Sequence, residues 1–271
     1  MLLSVIVPVY NERHTLGPVL MAIGRALPDV DKEIVVVDDC SRDGTREWLR
    51  ANFPGAARDG TTVELDGEGN LVFGQAAASS RLVIRAIYHE LNKGKGGALQ
   101  TGFAAFSGDV VVIQDADLEY DPVDWTPMFD LVAVRKVADA VFGSRFYGRP
   151  HRSLYYHHYL ANRLISVLFN IVFNQTLTDI ETCYKMMTGA VARSLYLTAN
   201  DFGIEVEMSA EIARQRRLRI YEIGISYYGR TYAEGKKIGW RDGLKALWYV
   251  FKFRLRRRQD TPDPVASRGK S

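Results

Sequence analysis

Apolar residues in the first half of the chain fall into two alternating spacings. Short, largely apolar runs at 2–9, 33–37, 81–88, 110–113 and 138–142 have the continuity of strands buried on both faces. Between them, 15–27, 44–52, 97–106 and 122–135 carry helical spacing. The last has Pro122 at its start, where a missing N–H costs least. Repeated strand–helix units predict an α/β fold: a mostly parallel central sheet with helices on both faces. The stretch 54–80 breaks the pattern. There, 61–65 and 71–73 flank Asp66-Gly-Glu-Gly-Asn70, which predicts a surface β-hairpin with a five-residue turn.

In the second half, 154–173 predicts a long, broadly apolar helix, 219–227 a strand, and 240–255 an amphipathic helix. The last dozen residues read as a disordered tail. The expected organisation is one large domain over 1–235 with the hairpin inserted near 54–80, a basic amphipathic helix at 236–258, and a tail at 259–271. The uncharged run 164–178 is 15 residues long, short of the roughly 20 that cross a bilayer. Met1 leads into the first strand without the basic segment of a signal peptide.

Composition narrows this further. A chain of 271 residues, 47% hydrophobic and 25% charged, buries a core without staples, which excludes intrinsic disorder for its bulk. Cys40 and Cys183 are too few for a disulfide framework, so a reducing compartment is expected. The net charge of +3 is unevenly spread. Residues 236–271 carry 11 Lys/Arg and 3 Asp, a net +8, so the remainder carries −5. Basic ends of this kind favour anionic lipid or nucleic acid.

The segment Val110-Val-Val-Ile-Gln-Asp-Ala-Asp117 feeds two aspartates from a strand end. In extended chain, residues i and i+2 point the same way. Asp115 and Asp117 therefore converge at the carboxyl edge of the sheet, where open α/β sheets bind ligands. Their hard oxygens suit Mg²⁺ or Mn²⁺, with Glu119 a candidate third metal ligand. The alternative is a solvated acidic turn. Parallel topology brings three more strand ends to this rim: Pro8-Val-Tyr-Asn-Glu12, Asp38-Asp-Cys-Ser41 and Asn92-Lys-Gly-Lys-Gly-Gly97. The last places Lys93, Lys95 and backbone N–H groups at a helix start, an expected anion site. Its spacing is neither a P-loop nor the dinucleotide fingerprint. Asn11 and Asp43 alternatively serve as helix caps. Together these strand ends predict a nucleotide-diphosphate site.

The ordered strings Val7-Pro-Val-Tyr-Asn-Glu12, Asp38-Asp-Cys-Ser41, Asn92-Lys-Gly-Lys-Gly96, Asp115-Ala-Asp117 and Gly143-Ser-Arg145 resemble the family 2 glycosyltransferases of GT-A fold. The resemblance runs from residue 2 to about 255, apart from 54–80. Within the family it is nearest to the polyprenyl-phosphate sugar transferases, the group of dolichol-phosphate mannose synthase and dolichyl-phosphate glucosyltransferase. It implies an inverting, metal-dependent hexosyltransferase using a nucleotide-diphosphate sugar of UDP-glucose or GDP-mannose type. Pro8, Tyr10, Glu12 and Asp39 would hold the nucleoside, and Asp115, Ala116 and Asp117 the metal and diphosphate. Arg145 and Arg152 would grip a lipid phosphate, and Arg230 lies in a basic loop that closes on the donor. Glu119 stands where the mannose synthases have a metal-binding Gln, and Cys40 where Gly or Ser is usual.

Breaking the anomeric C–O bond leaves a diphosphate. The metal, Arg230 and Lys236 would take up its charge, with Lys95 nearby and Gly229 and Gly235 as loop hinges. A phosphate acceptor is already ionised and needs only positioning cations, a task suited to Arg145 and Arg152. A hydroxyl acceptor needs a base within hydrogen-bond reach, and 178–185 offers Asp179 and Glu181.

In 244–258, Leu244, Leu247, Trp248, Phe251 and Leu255 recur at helical spacing, followed by Lys252, Arg254, Arg256, Arg257 and Arg258. This predicts a helix on an anionic membrane surface. The alternative is a helix docked on the core by that stripe, its cations complementing the helix C-terminus. The expected acceptor is a polyprenyl phosphate, met by a peripheral protein on the cytoplasmic face of the membrane, with no nucleic-acid partner. The competing expectations are a transferase to a sugar hydroxyl of polysaccharide or glycolipid, and a non-catalytic nucleotide-sugar binding module. Intact Asp115, Asp117 and Arg230 argue against the module.

Overall fold

The apolar runs of the N-terminal half form strands where their spacing places them. The structure is a computed structural model that describes residues 1–54, 61–65, 71–73, 81–147, 150–152, 155–230, 240–257 and 264–265. Its first half comprises β1 (Leu2–Val9), α1 (Leu16–Arg25), β2 (Asp31–Asp38), α2 (Thr45–Asn52), β3 (Thr61–Leu65), β4 (Leu71–Phe73), β5 (Leu82–Tyr88), α3 (Gly94–Ala105) and β6 (Val110–Ile113). Its second half comprises α4 (Trp125–Phe129), β7 (Ala140–Ser144), α5 (Tyr156–Phe173), β8 (Lys185–Thr188), α6 (Gly189–Ser194), α7 (Ile204–Arg214), β9 (Ile220–Gly224) and α8 (Trp240–Leu255).

One nine-stranded sheet has the order β4-β3-β5-β2-β1-β6-β8-β7-β9. Strands β5, β2, β1 and β6 pair in parallel, as do β7 and β9. The core is continuous across β1, β2 and β6, whose apolar side chains are buried on both faces. Helix α1 turns Leu16, Val19, Leu20 and Ile23 inward at i, i+3, i+4 and i+7. The helical run after Pro122 changes pitch: a 3-10 turn at Pro122–Asp124, then α4, then a wide π turn at Asp130–Val134.

Two features depart from the sequence reading. The hairpin strands pair as expected, Val63 opposite Phe73 and Leu65 opposite Leu71, but β3 also pairs antiparallel with β5. The hairpin therefore extends the sheet rather than standing apart on the surface; its turn lies outside the described residues. The second departure is β8, which runs antiparallel between β6 and β7. Its reversed direction carries the preceding loop, 178–184, to the carboxyl rim. Helix α7 was not marked by periodicity either, because Glu205, Glu207 and Glu211 interrupt its apolar pattern yet are all buried by cations. Among the described residues no helix is long and apolar enough to cross a membrane.

Candidate active site

The sheet register decides which side chains meet. Strand β6 ends at Ile113, and Gln114 N still donates to Ile6 O, so the chain leaves the sheet beside the end of β1. Asp115 and Asp117 follow, half-buried, with Ala116 buried between them. Strand β9 ends at the same rim. Its outgoing segment returns across the acidic turn, Tyr228 N donating to Glu119 O at 2.9 Å.

Arg230 is the hub of this arrangement. Its Nη2 donates to Asp117 Oδ2 at 2.7 Å, and its backbone N and Nε donate to Glu119 Oε1 at 2.9 and 3.2 Å. Its Nη1 lies 3.6 Å from Glu12 Oε1. Tyr227 OH donates to the other Glu119 oxygen at 2.9 Å. Glu119 therefore anchors Arg230 and Tyr227 with both oxygens. Burial and the adjacent carboxylates of Asp115 and Glu119 push the Asp117 carboxyl up to about 7, against the pull of Arg230. Among the described residues no three His, Cys, Asp or Glu side chains converge on one ion position.

Asp115 is held by a second cation. Lys95 Nζ lies 2.9 Å from Asp115 Oδ1 and 3.0 Å from Glu205 Oε1. Glu205 Oε2 accepts from Lys185 Nζ at 2.7 Å, and that ammonium also donates to Thr182 O. Burial raises the Glu205 pKa, but Lys185 and Lys95 together hold it below its ordinary value. Asp115, Lys95, Glu205 and Lys185 thus form a chain of alternating charge behind the rim. Sequence reasoning found Asp115 and Lys95 but missed Glu205 and Lys185. The available signal was an acidic pair, Glu205 and Glu207, set among Ile204, Val206 and Met208 in the first turn of a helix.

The glycine-rich turn differs from its expected role as an open anion site. Lys93 N and Gly94 N donate to Asp39 Oδ1 and Oδ2 at 2.8 and 2.7 Å. Gly96 N and Gly97 N donate to Asn200 O. The anion at this helix start is the protein's own Asp39, which is buried and further bonded by His89 Nδ1 at 2.8 Å. Gly94 has φ +80°, and a Cβ on Gly96 would sit 2.0 Å from Ala199 O, so this close contact needs glycine. Asn11 and Asp43 tie loops together rather than capping alone. Asn11 Oδ1 accepts from Arg42 N, and Asp43 accepts from Arg13 N and Thr45 N. Pro8 lies near the end of β1, and Tyr10 stands exposed beyond it.

Arg145, just after β7, is clamped by Asp179 through Nε and Nη2, both at 2.7 Å. Its guanidinium lies over the rings of Tyr227 and Phe146. Asp179 is fully buried and spends both carboxylate oxygens on Arg145. Glu181 is pushed up to about 7, chiefly by burial, then by Asp179 and Glu205, against Arg145 and Lys185. Arg152 is exposed, its backbone N donating to Tyr227 O and its Nη1 to Gly229 O. Lys236 and Gly235 lie outside the described residues.

At the C-terminal helix the apolar stripe read from sequence is not the docking face. Ala246, Val250 and Phe253 are buried, while Leu244, Trp248, Phe251 and Leu255 are exposed. Arg256 does not belong to an outward basic cluster. It pairs with Glu207, with Glu211 at 2.8 Å, and donates to Tyr196 O.

Residues 4–63 and 72–196 match the sequence profile described as Glycosyl transferase family 2. The undecaprenyl-phosphate mannosyltransferase of Micrococcus luteus is 27% identical, over 92% of this chain and 97% of its own. The dolichol-phosphate mannosyltransferase of Pyrococcus furiosus is 34% identical over 54% of this chain, which covers only 34% of that longer protein. Among solved structures, glucosyl-3-phosphoglycerate synthase of Mycobacterium tuberculosis with Mn²⁺, UDP-glucose and phosphoglyceric acid aligns at a TM-score of 0.63 and 18% identity. That alignment covers 93% of this chain and 79% of that one. The shared architecture is the GT-A fold.

Proposed function

The chain belongs to glycosyl transferase family 2, and from that premise we propose that it transfers a hexose from a nucleotide-diphosphate sugar to a polyprenyl phosphate at a membrane surface. One observation carries this reading. The short segment 227–230 engages two arginines: its own Arg230, directed onto the carboxylates of Asp117 and Glu119, and Arg152 at the exposed rim, which donates to Tyr227 O and Gly229 O. A donor diphosphate and an acceptor phosphate would therefore meet within one group of cations. The Micrococcus luteus relative, aligned over nearly its whole length, is named for such an acceptor.

In the reaction an acceptor phosphate oxygen forms a bond to the anomeric carbon as the bond from that carbon to the diphosphate oxygen breaks. The electron pair leaves with the diphosphate, and attack in line inverts the anomeric centre. No proton need be removed from an ionised phosphate, which agrees with Asp179 being committed to Arg145. Asp115 and Asp117 would fit a divalent cation: their oxygens are hard donors, and burial together with the neighbouring carboxylates already raises the Asp117 pKa. Mg²⁺ or Mn²⁺, when bound, supplies charge stabilisation to the leaving diphosphate. Lys95 and Arg230 hold the same carboxylates and are the chain's own cations for that diphosphate. Arg145, stacked on Tyr227, and Arg152 position the acceptor phosphate.

The test is a donor screen of purified protein with UDP-glucose and GDP-mannose, Mg²⁺ or Mn²⁺, and undecaprenyl phosphate. The expected product is a glycosyl phospholipid, and Asp117→Ala should lower turnover by at least about a hundredfold. Transfer only to soluble sugar hydroxyls, or undiminished turnover in Asp117→Ala, would overturn the acceptor or the metal assignment respectively.

A further inference from the structure

Helices α5 and α8 pack against each other, and each leaves an apolar stripe uncovered. On α5 the stripe is Tyr156, Leu160, Leu164, Val167 and Ile171, spaced i, i+4, i+8, i+11 and i+15 along one face. On α8 it is Leu244, Trp248, Phe251 and Leu255, spaced i, i+4, i+7 and i+11. All of these side chains are between 47% and 82% exposed. A contiguous exposed apolar surface of this kind marks a binding face. Neither stripe is needed to seat its helix. Ile165, Phe169 and Phe173 seat α5, and Ala246, Val250 and Phe253 seat α8.

We propose that the paired stripes of α5 and α8 form one face that docks on an anionic lipid bilayer and sets the catalytic rim at its surface. This deepens the functional reading above and rests on it for the acceptor. Charge identifies the occupant. Residues 243–257 contain no acidic side chain, and Lys252 and Arg254 stand exposed beside the α8 stripe, as does Lys245, which pairs with Asp201 at 3.6 Å. The only charged residue of α5 is the half-buried Arg163. An apolar strip bordered by cations is the pattern of a helix lying at the level of anionic headgroups, with aromatic rings at the boundary. A second protein would find here few donors or acceptors for the polar rim of an interface.

The face also leads to the site. Tyr156 opens α5 four residues after Arg152, and Tyr159 packs edge-on against Phe146, next to Arg145. From Tyr156 to Ile171 the stripe runs roughly 22 Å, at about 1.5 Å per residue. A bilayer along it would bring a lipid phosphate to the two arginines while its chain stays among the acyl tails.

The experiment is flotation of the full chain with phosphatidylcholine vesicles, with and without phosphatidylglycerol. The wild type should bind the anionic vesicles at least tenfold more. Leu164→Glu with Ile171→Glu should lose that binding at least tenfold, and so, separately, should Phe251→Glu. Lys252→Glu with Arg254→Glu should remove the preference for phosphatidylglycerol. All variants should keep the wild-type melting temperature and its transfer rate to a water-soluble short-chain prenyl phosphate. Unaltered flotation of the α5 variant overturns the proposal. So does a wild-type dimer in sedimentation velocity that the same substitutions dissociate, since the face would then belong to a second copy. If the wild type floats, the variants do not, and no prenyl phosphate is glycosylated, the docking face stands and the acceptor reading falls.

Discussion

Glu205 shows how one buried carboxylate controls two cations. It holds Lys95 at 3.0 Å and Lys185 at 2.7 Å, so Lys95 faces Asp115 from a fixed position instead of sweeping the rim. Glu205→Gln removes the compensation for two buried ammonium groups and should cost about 3–5 kcal/mol in urea unfolding. Turnover should fall more than donor binding, because the cation loses its aim. Wild-type stability in this variant would end the idea of a charge relay. Glu181 gives a pH signature. Its carboxyl keeps its proton to about 7 in the folded chain, but releases it near 4.5 when unfolded. Its contribution is therefore complete below pH 4.5 and is lost as pH rises through 7. Glu181→Gln should gain about 1–3 kcal/mol on the wild type between pH 4.5 and pH 8. A difference that does not change with pH would refute the assignment. The paired aspartates were legible in sequence because strand geometry alone directs i and i+2 together. Lys95 and Arg230 were legible as cations of the site, but their pairing with Asp115 and Asp117 was not, nor was Glu205, which holds Lys95 from 110 positions away.

Among the elements, α3 is held by contact rather than by propensity. A mid-helix Gly→Ala change ordinarily stabilises by up to about 1 kcal/mol. At Gly96 the new methyl would meet Ala199 O at 2.0 Å and the backbone carbon of Asn200 at 2.8 Å. Gly96→Ala should instead destabilise by about 1–3 kcal/mol in thermal or urea unfolding. A neutral result would mean that the 199–200 loop yields freely. The strands β1, β2, β5, β6 and β7 and the helices between them were readable because each buries a simple periodic pattern. Helix α7 was not, because ion pairs with Lys95, Lys185 and Arg256 allow acids inside. Strand β8 was not, because a four-residue run beginning with a buried lysine lacks a strand signature. The outward stripe of α8 was visible in sequence, but which of its two apolar faces meets the core depends on Glu207 and Glu211 capturing Arg256.

For the molecule as a whole, the charge map changes meaning. The +8 of residues 236–271 suggested a basic tail as the lipid anchor, yet Arg256 faces inward. Residues 258–271 hold three Lys/Arg against two Asp, a net +1. At about 1 kcal/mol per cation near an anionic surface, truncation after Arg257 should weaken vesicle binding less than about fivefold. A tenfold or greater loss on truncation would return the anchor to the tail. Strand β8 has one further consequence, which concerns the order of synthesis. Because it runs against its neighbours, the site is closed by loops from both halves of the chain. The aspartates near residue 115 leave the ribosome about 90 residues before Glu205 and about 115 before Arg230. A nascent chain therefore carries Asp117 and Glu119 without their cation Arg230 until its last third arrives, while Asp115 already has Lys95.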